Sequence, residues 1–161
     1  MIFGKALELL QKSENRSGRL KLFKNKHKYT IMFKNLVITC FLGLSAVVLG
    51  AFGAHALKDS LSIDQMQSFE TAVRYQMFHT IVLLFVNTYE GFTVKQKNTI
   101  SYLLFFGVLF FSGSIYLIQT TSVTAKSIWF ITPLGGLFFI MSWLSMIFVF
   151  LKEILNDSKK N

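Results

Sequence analysis

Four stretches of this 161-residue chain carry no Asp, Glu, Lys or Arg: residues 35–57, 75–89, 98–125 and 127–151. A helix rises about 1.5 Å per residue, so crossing roughly 30 Å of hydrocarbon takes about 20 apolar residues. Three of the four stretches are long enough as they stand. The second reaches a workable length when Ala72, Val73 and Arg74 join it, the Arg side chain snorkelling to the interface. The pattern predicts an all-α membrane protein, a four-transmembrane-helix bundle with spans near 36–57, 72–90, 100–119 and 133–151. Composition agrees: 52% apolar residues, 18 Phe against one Pro and a mean hydropathy of +0.48 are too hydrophobic for an ordinary soluble domain.

The formal charge of +9 invites a nucleic-acid reading, but residues 1–31 hold eight Lys/Arg and only two Glu, so most of the excess sits at one end. Membrane orientation accounts for that placement, and no nucleic-acid partner is expected. Lys and Arg gather on the cytoplasmic side of membrane proteins. One side of the four spans has nine through Lys34, then Lys95 and Lys97, then Lys152, Lys159 and Lys160; the other has Lys58, Arg74 and Lys126. Fourteen against three places both termini of this multi-pass protein in the cytoplasm; the compartment expected, which the charges do not decide, is the bacterial cytoplasmic (inner) membrane.

Residues 1–31 separate by composition from the membrane domain, residues 32–161. Three readings of this basic extension stand: an amphipathic helix on anionic lipid, a targeting presequence, or a segment preceding a natural start at Met32. An Ala54-His55-Ala56 cleavage site after the first apolar run is set aside, since the run is long for a signal peptide and its glycines are patterned for packing. Cys40 is the only cysteine, so the chain forms no internal disulfide.

Gly43, Ala46, Gly50 and Gly53 form one stripe of small residues on the first helix, a surface that lets another backbone approach. Ser62 with Gln65 reads as a capping box, so the second helix starts near Ile63, before its span. Glu70 and Arg74 are spaced as an i, i+4 ion pair. On the third helix Ser112, Tyr116 and Gln119 share a stripe with Gly113 beside them. The fourth is expected to begin with Thr132 as N-cap and Pro133 as first helical residue, with Gly135 and Gly136 allowing close packing. His55, Tyr75, Gln76, His79, Ser112, Tyr116 and Gln119 then fall toward the outer leaflet, whereas the inner half reads as nearly pure hydrocarbon. Intramembrane polar groups need partners, so a shared cluster is expected, with Ser112 and His79 at comparable depth.

The stretches LGAFGAHALK (49–58), FETAVRYQMFHT (69–80), FSGSIYL (111–117), TPLGG (132–136) and SW (142–143) together resemble the DUF423 family of small uncharacterised membrane proteins. This is the UPF0382 inner-membrane type, with a eukaryotic relative, transmembrane protein 256. The resemblance spans roughly Met32 to Leu155 and implies a compact four-helix membrane protein whose members begin just before the first span. It implies no catalytic residues. The chain has no Gly-x-Ser-x-Gly, Gly-rich phosphate loop, Cys pair or His-Glu-x-x-His, so no enzymatic activity is expected. The favoured expectation is a non-enzymatic protein with no cofactor, partnered by the lipid bilayer and by a second copy or another membrane protein. The alternative is binding or transport of a small solute, proton or metal ion through His55 and His79 in an oligomer.

Overall fold

The computed structural model describes residues 32–158 together with Leu22 and Thr30. The chain divides into two units, Met1–Lys34 and Asn35–Asn161. The expectations for residues 1–31 lie outside the described residues, apart from those two positions. Four helices follow one another: α1 Met32–His55, α2 Ile63–Thr88, α3 Val94–Thr120 and α4 Ile131–Asp157. The protein is all-α, and α1, α3 and α4 are long and apolar enough to cross a membrane. Helix α2 is less apolar because Arg74, Gln76 and His79 interrupt it.

Local chemistry sets the helix starts. At α2 the Ser62 hydroxyl accepts from the Gln65 backbone N–H, and the Gln65 side chain accepts from the Ser62 N–H, as the sequence predicts. Thr93 and Gln96 form a second capping box, so α3 begins before its expected span. Helix α4 departs from expectation. Phe130 occupies the N-cap position, Thr132 is already inside the helix and Pro133 is its third residue. That position is tolerated because the first four N–H groups of a helix have no intrahelical acceptor.

Between apolar helices in lipid, burial supplies little driving force, and association rests on close packing and hydrogen bonds. The small-residue stripe of α1 lies on α2: a methyl group built on Gly43 would meet Thr80 Cγ2 at 3.4 Å, one on Gly50 would meet Val73 Cγ1 at 3.4 Å, and one on Gly53 would meet the Phe69 ring at 2.9 Å. Ala46 is buried in the same stripe. These partners run in opposite order along the two helices, so α1 and α2 are antiparallel.

Helices α3 and α4 approach at two glycines. The Phe139 ring occupies the space where Gly107 has no side chain, and Gly135 sits against the backbone of Phe110 and Phe111. Gly113, read from the sequence as a packing residue, has nothing within 4 Å of the position a Cβ would take, and Gly136 meets only the edge of Phe111 at 3.9 Å. Gly113 therefore borders a groove where close packing was expected, whereas Gly136 borders a groove and also keeps an ordinary van der Waals approach to α3. The apolar core joins α2, α3 and α4 through Leu83, Val86, Ile100, Leu104, Val108 and Phe139. Helices α2 and α4 make no close backbone contact and meet through side chains alone.

Candidate functional site

Three polar arrangements stand inside the helical body. The first lies toward the α1–α2 connection. Gln76 Nε2 donates to Leu42 O at 2.8 Å and Ser45 Oγ at 2.8 Å, while its Oε1 accepts from the Tyr116 hydroxyl at 2.9 Å. One amide thereby ties α1, α2 and α3. Nearby, Ser112 donates to the Ala72 carbonyl at 2.8 Å, and Ser114 pairs with Thr132 at 2.6 Å, joining α3 to α4. Thr132 is therefore an interhelical residue and not the cap expected of it. A groove of about 360 Å³ opens beside Ser45, Gln76 and Tyr116, lined otherwise by apolar side chains and Gly113.

The second arrangement lies toward the α2–α3 connection and overturns the expectation of a bare hydrocarbon half. Asn35 Nδ2 donates to Asn87 Oδ1 at 3.0 Å and Asn98 Oδ1 at 3.1 Å. Asn87 Nδ2 in turn donates to Ser101 Oγ and to Leu83 O, both at 2.9 Å. Lys97, counted from the sequence as a loop charge, is buried, and its Nζ donates to the Asn87 carbonyl at 2.8 Å. That carbonyl is among the last of α2, which have no acceptor role inside the helix, and a cation suits the negative end of the helix dipole. Uncharged Asn, Ser and Thr escape a survey based on charge, which is why sequence reading missed this layer.

The third arrangement surrounds His79. Its imidazole stacks on Phe139 with ring centroids 3.5 Å apart and 8° between planes, so Phe139 is held between His79 and Gly107. Nδ1 lies 2.8 Å from Tyr75 O. A carbonyl only accepts, so Nδ1 carries the proton and donates it. Tyr75 itself stacks on Phe111, with centroids 4.5 Å apart. The groove at this place measures about 560 Å³.

The structure thus joins Gln76 and Tyr116 directly and sets Ser112 of α3 against Ala72, one turn from Gln76 on α2, but it separates other members of the expected cluster. His79 and Ser112 each bond a different carbonyl and not one another. His55 is exposed at the end of α1, and Gln119 is half-buried; neither makes a side-chain hydrogen bond among the described residues. Because Gly53 packs at Phe69 and the helices are antiparallel, the level of His55 lies about twelve residues, roughly 18 Å of helix rise, from His79. The two imidazoles do not share a site within one chain. Among the described residues no three His, Cys, Asp or Glu side chains form a metal-binding group. The Glu70–Arg74 pair is not formed either: Arg74 donates to Thr71 Oγ1 at 3.1 Å on an exposed face, where water makes an ion pair weak.

Long apolar helices held by small-residue contacts and buried amides define an integral membrane protein. Comparison with known proteins narrows the class. The family described as "Protein of unknown function (DUF423)" matches residues 49–136. A UPF0382 membrane protein of Staphylococcus epidermidis is 41% identical over 117 residues, covering 73% of this chain and 94% of the relative. UPF0382 membrane protein SSP2132 of Staphylococcus saprophyticus is 39% identical over 70% of this chain and 92% of its own, and UPF0382 membrane protein YwdK of Bacillus subtilis is 34% identical over 74% and 97%. The chain belongs to this family of uncharacterised membrane proteins. No solved structure matches it.

Proposed function

We propose that this is a non-enzymatic four-span protein of the bacterial cytoplasmic membrane that works as a packed helical body, contacting lipid and a protein partner in the bilayer. The observation that supports this most is the closure of its polar groups. Among the described residues, no fully buried side-chain nitrogen or oxygen lacks a hydrogen-bond partner. Gln76 spends both N–H donors on α1 and accepts from Tyr116 on α3, so its amide is held between helices and has no N–H to offer a solute. A catalytic or transport site needs several convergent polar groups directed at one open space, and the interhelical bonds of Gln76, Ser112 and Ser114 leave no such set in the polar cluster.

Interhelical hydrogen bonds in membranes average about 0.6 kcal/mol and reach about 1.7. Gln76→Leu, which removes three, is expected to destabilise the bundle by about 1–2 kcal/mol, and Tyr116→Phe, which removes one, by about 0.5–1 kcal/mol. Unfolding in mixed micelles followed by circular dichroism, with native-gel migration alongside, measures both. Equal stability of Gln76→Leu and the parent, together with loss of a bound or transported solute, would reject the scaffold reading.

The charge asymmetry supports cytoplasmic termini, with residues 56–62 outside and 89–93 inside. In a Cys40→Ser background, an impermeant maleimide is expected to label Ser60→Cys in intact cells and Gly91→Cys only after lysis. The reverse pattern would invert the topology.

A further inference from the structure

Two grooves run along the gap between α2 and α4. The first, of about 560 Å³, is lined by Tyr75, His79, Phe111 and Phe139; the second, of about 420 Å³, by Phe85, Met146 and Phe150. Val82 and Trp143 line both, so the grooves form one continuous seam that leads away from His79. The seam exists because the two helices meet only through side chains. Its rim residues Phe78, Ile140 and Trp143 are exposed, so the seam opens sideways toward lipid.

Within this largely apolar channel His79 is the buried polar side chain, since Tyr75 and Trp143 are exposed. The residue is only 7% exposed, and its Nδ1–H is committed to Tyr75 O. Among the described residues Nε2 has no hydrogen-bond partner. Every fully buried polar side-chain atom among the described residues is bonded, so this unpartnered nitrogen must reach open space, and the space His79 lines is the groove. With Nδ1 protonated, a neutral imidazole offers a lone pair at Nε2, an acceptor that calls for a hydroxyl donor. The walls beside it are the rings of Tyr75, Phe111 and Phe139, which suit a planar ring. No Lys or Arg lines either groove to pair with a carboxylate or phosphate.

We propose that the α2–α4 seam binds a membrane-dissolved amphiphile with a planar hydroxyl-bearing ring, a hydroquinone lipid in chemical class. The ring lies among the aromatic side chains and donates a hydrogen bond to His79 Nε2, and the apolar tail follows Val82, Phe85 and Met146. This goes beyond the scaffold reading and does not depend on it, because the polar groups that close the bundle are not those of the seam.

The test uses the full chain in phosphatidylcholine nanodiscs with Trp129→Phe, which leaves Trp143 in the seam as the sole tryptophan. A decyl-substituted hydroquinone is added, with decylbenzene as the probe lacking hydroxyls. Saturable quenching of Trp143 by the hydroquinone, at least tenfold weaker for decylbenzene and for His79→Phe, is the expected result. Gly136→Leu, which fills the groove from α4 and leaves the His79 side chain in the protein, is expected to abolish saturation while preserving the helical circular dichroism. Equal quenching by both probes, or saturation that survives Gly136→Leu, would overturn the proposal whether or not His79→Phe folds. A visible haem band in the purified protein that His79→Phe removes would also overturn it, assigning Nε2 to iron.

Discussion

Gly135→Val is expected to be the most destabilising single substitution in the α3–α4 pair, costing about 3 kcal/mol or more and lowering the yield of folded protein. Overpacking a well-filled interior ordinarily costs about 1–3 kcal/mol, because neighbouring side chains change rotamer to make room. At Gly135 the neighbours cannot do so. A Cβ there would lie 2.7 Å from Phe111 Cα and 2.8 Å from the Phe110 carbonyl carbon, and still closer to Phe111 N. Only a shift of one whole helix relieves such a clash. That shift would disturb the Phe139 ring lodged against Gly107 and the Ser114–Thr132 hydrogen bond, since both hold the same two helices. Gly113→Ala is the control: no atom stands within 4 Å of its added methyl, so the substitution is expected to be neutral or slightly stabilising through helix propensity. Denaturant titration of the two variants in the same micelles measures the difference. If Gly135→Val unfolds at the same denaturant concentration as Gly113→Ala, the backbone approach at Gly135 does not hold the pair together.

These two glycines also mark how far the sequence could be read. Spacing on a helix identifies which residues share a face, and for α1 that was enough, since Gly43, Gly50 and Gly53 all meet α2. What a face meets is decided by tertiary packing, so Gly113 and Gly135 look alike in sequence although one borders a groove and the other a backbone. Capping boxes are local chemistry and were legible at Ser62 and Gln65. The polar cluster was legible in part. Gln76 and Tyr116 do meet, 40 residues apart in sequence. The stacking of His79 on Phe139 had no sequence signal, because α2 and α4 are separated by the whole of α3 and come together only through side chains. The layer toward the α2–α3 connection went unseen for another reason: Asn35, Asn87, Asn98 and Ser101 carry no charge, and a span search based on charge counts them as ordinary membrane residues.

Asn87 is the hub of that layer, and its replacement carries the second large effect. The side chain is fully buried; it accepts from Asn35 on α1 and donates to Ser101 on α3, so one amide connects three helices. Asn87→Leu keeps the branched shape and heavy-atom count, though not the volume, and removes all of its side-chain hydrogen bonds. It leaves Asn35 still bonded to Asn98 but strips Ser101 of its partner, and a buried polar group left unsatisfied costs about 1–3 kcal/mol. A loss of about 2 kcal/mol is expected. Lys97 provides an internal contrast, because its Nζ bonds the backbone carbonyl of Asn87 and not the side chain, so that contact survives the substitution. Asn35→Leu alone is expected to cost about 1 kcal/mol, and the Asn35→Leu/Asn87→Leu double variant less than the two singles added, with a coupling of about 0.6–1.7 kcal/mol. The reason is that the 3.0 Å bond between the two amides can be lost only once. Strict additivity in the unfolding free energies would mean that the two amides act independently and that the bond between them does nothing to hold α1 to α2.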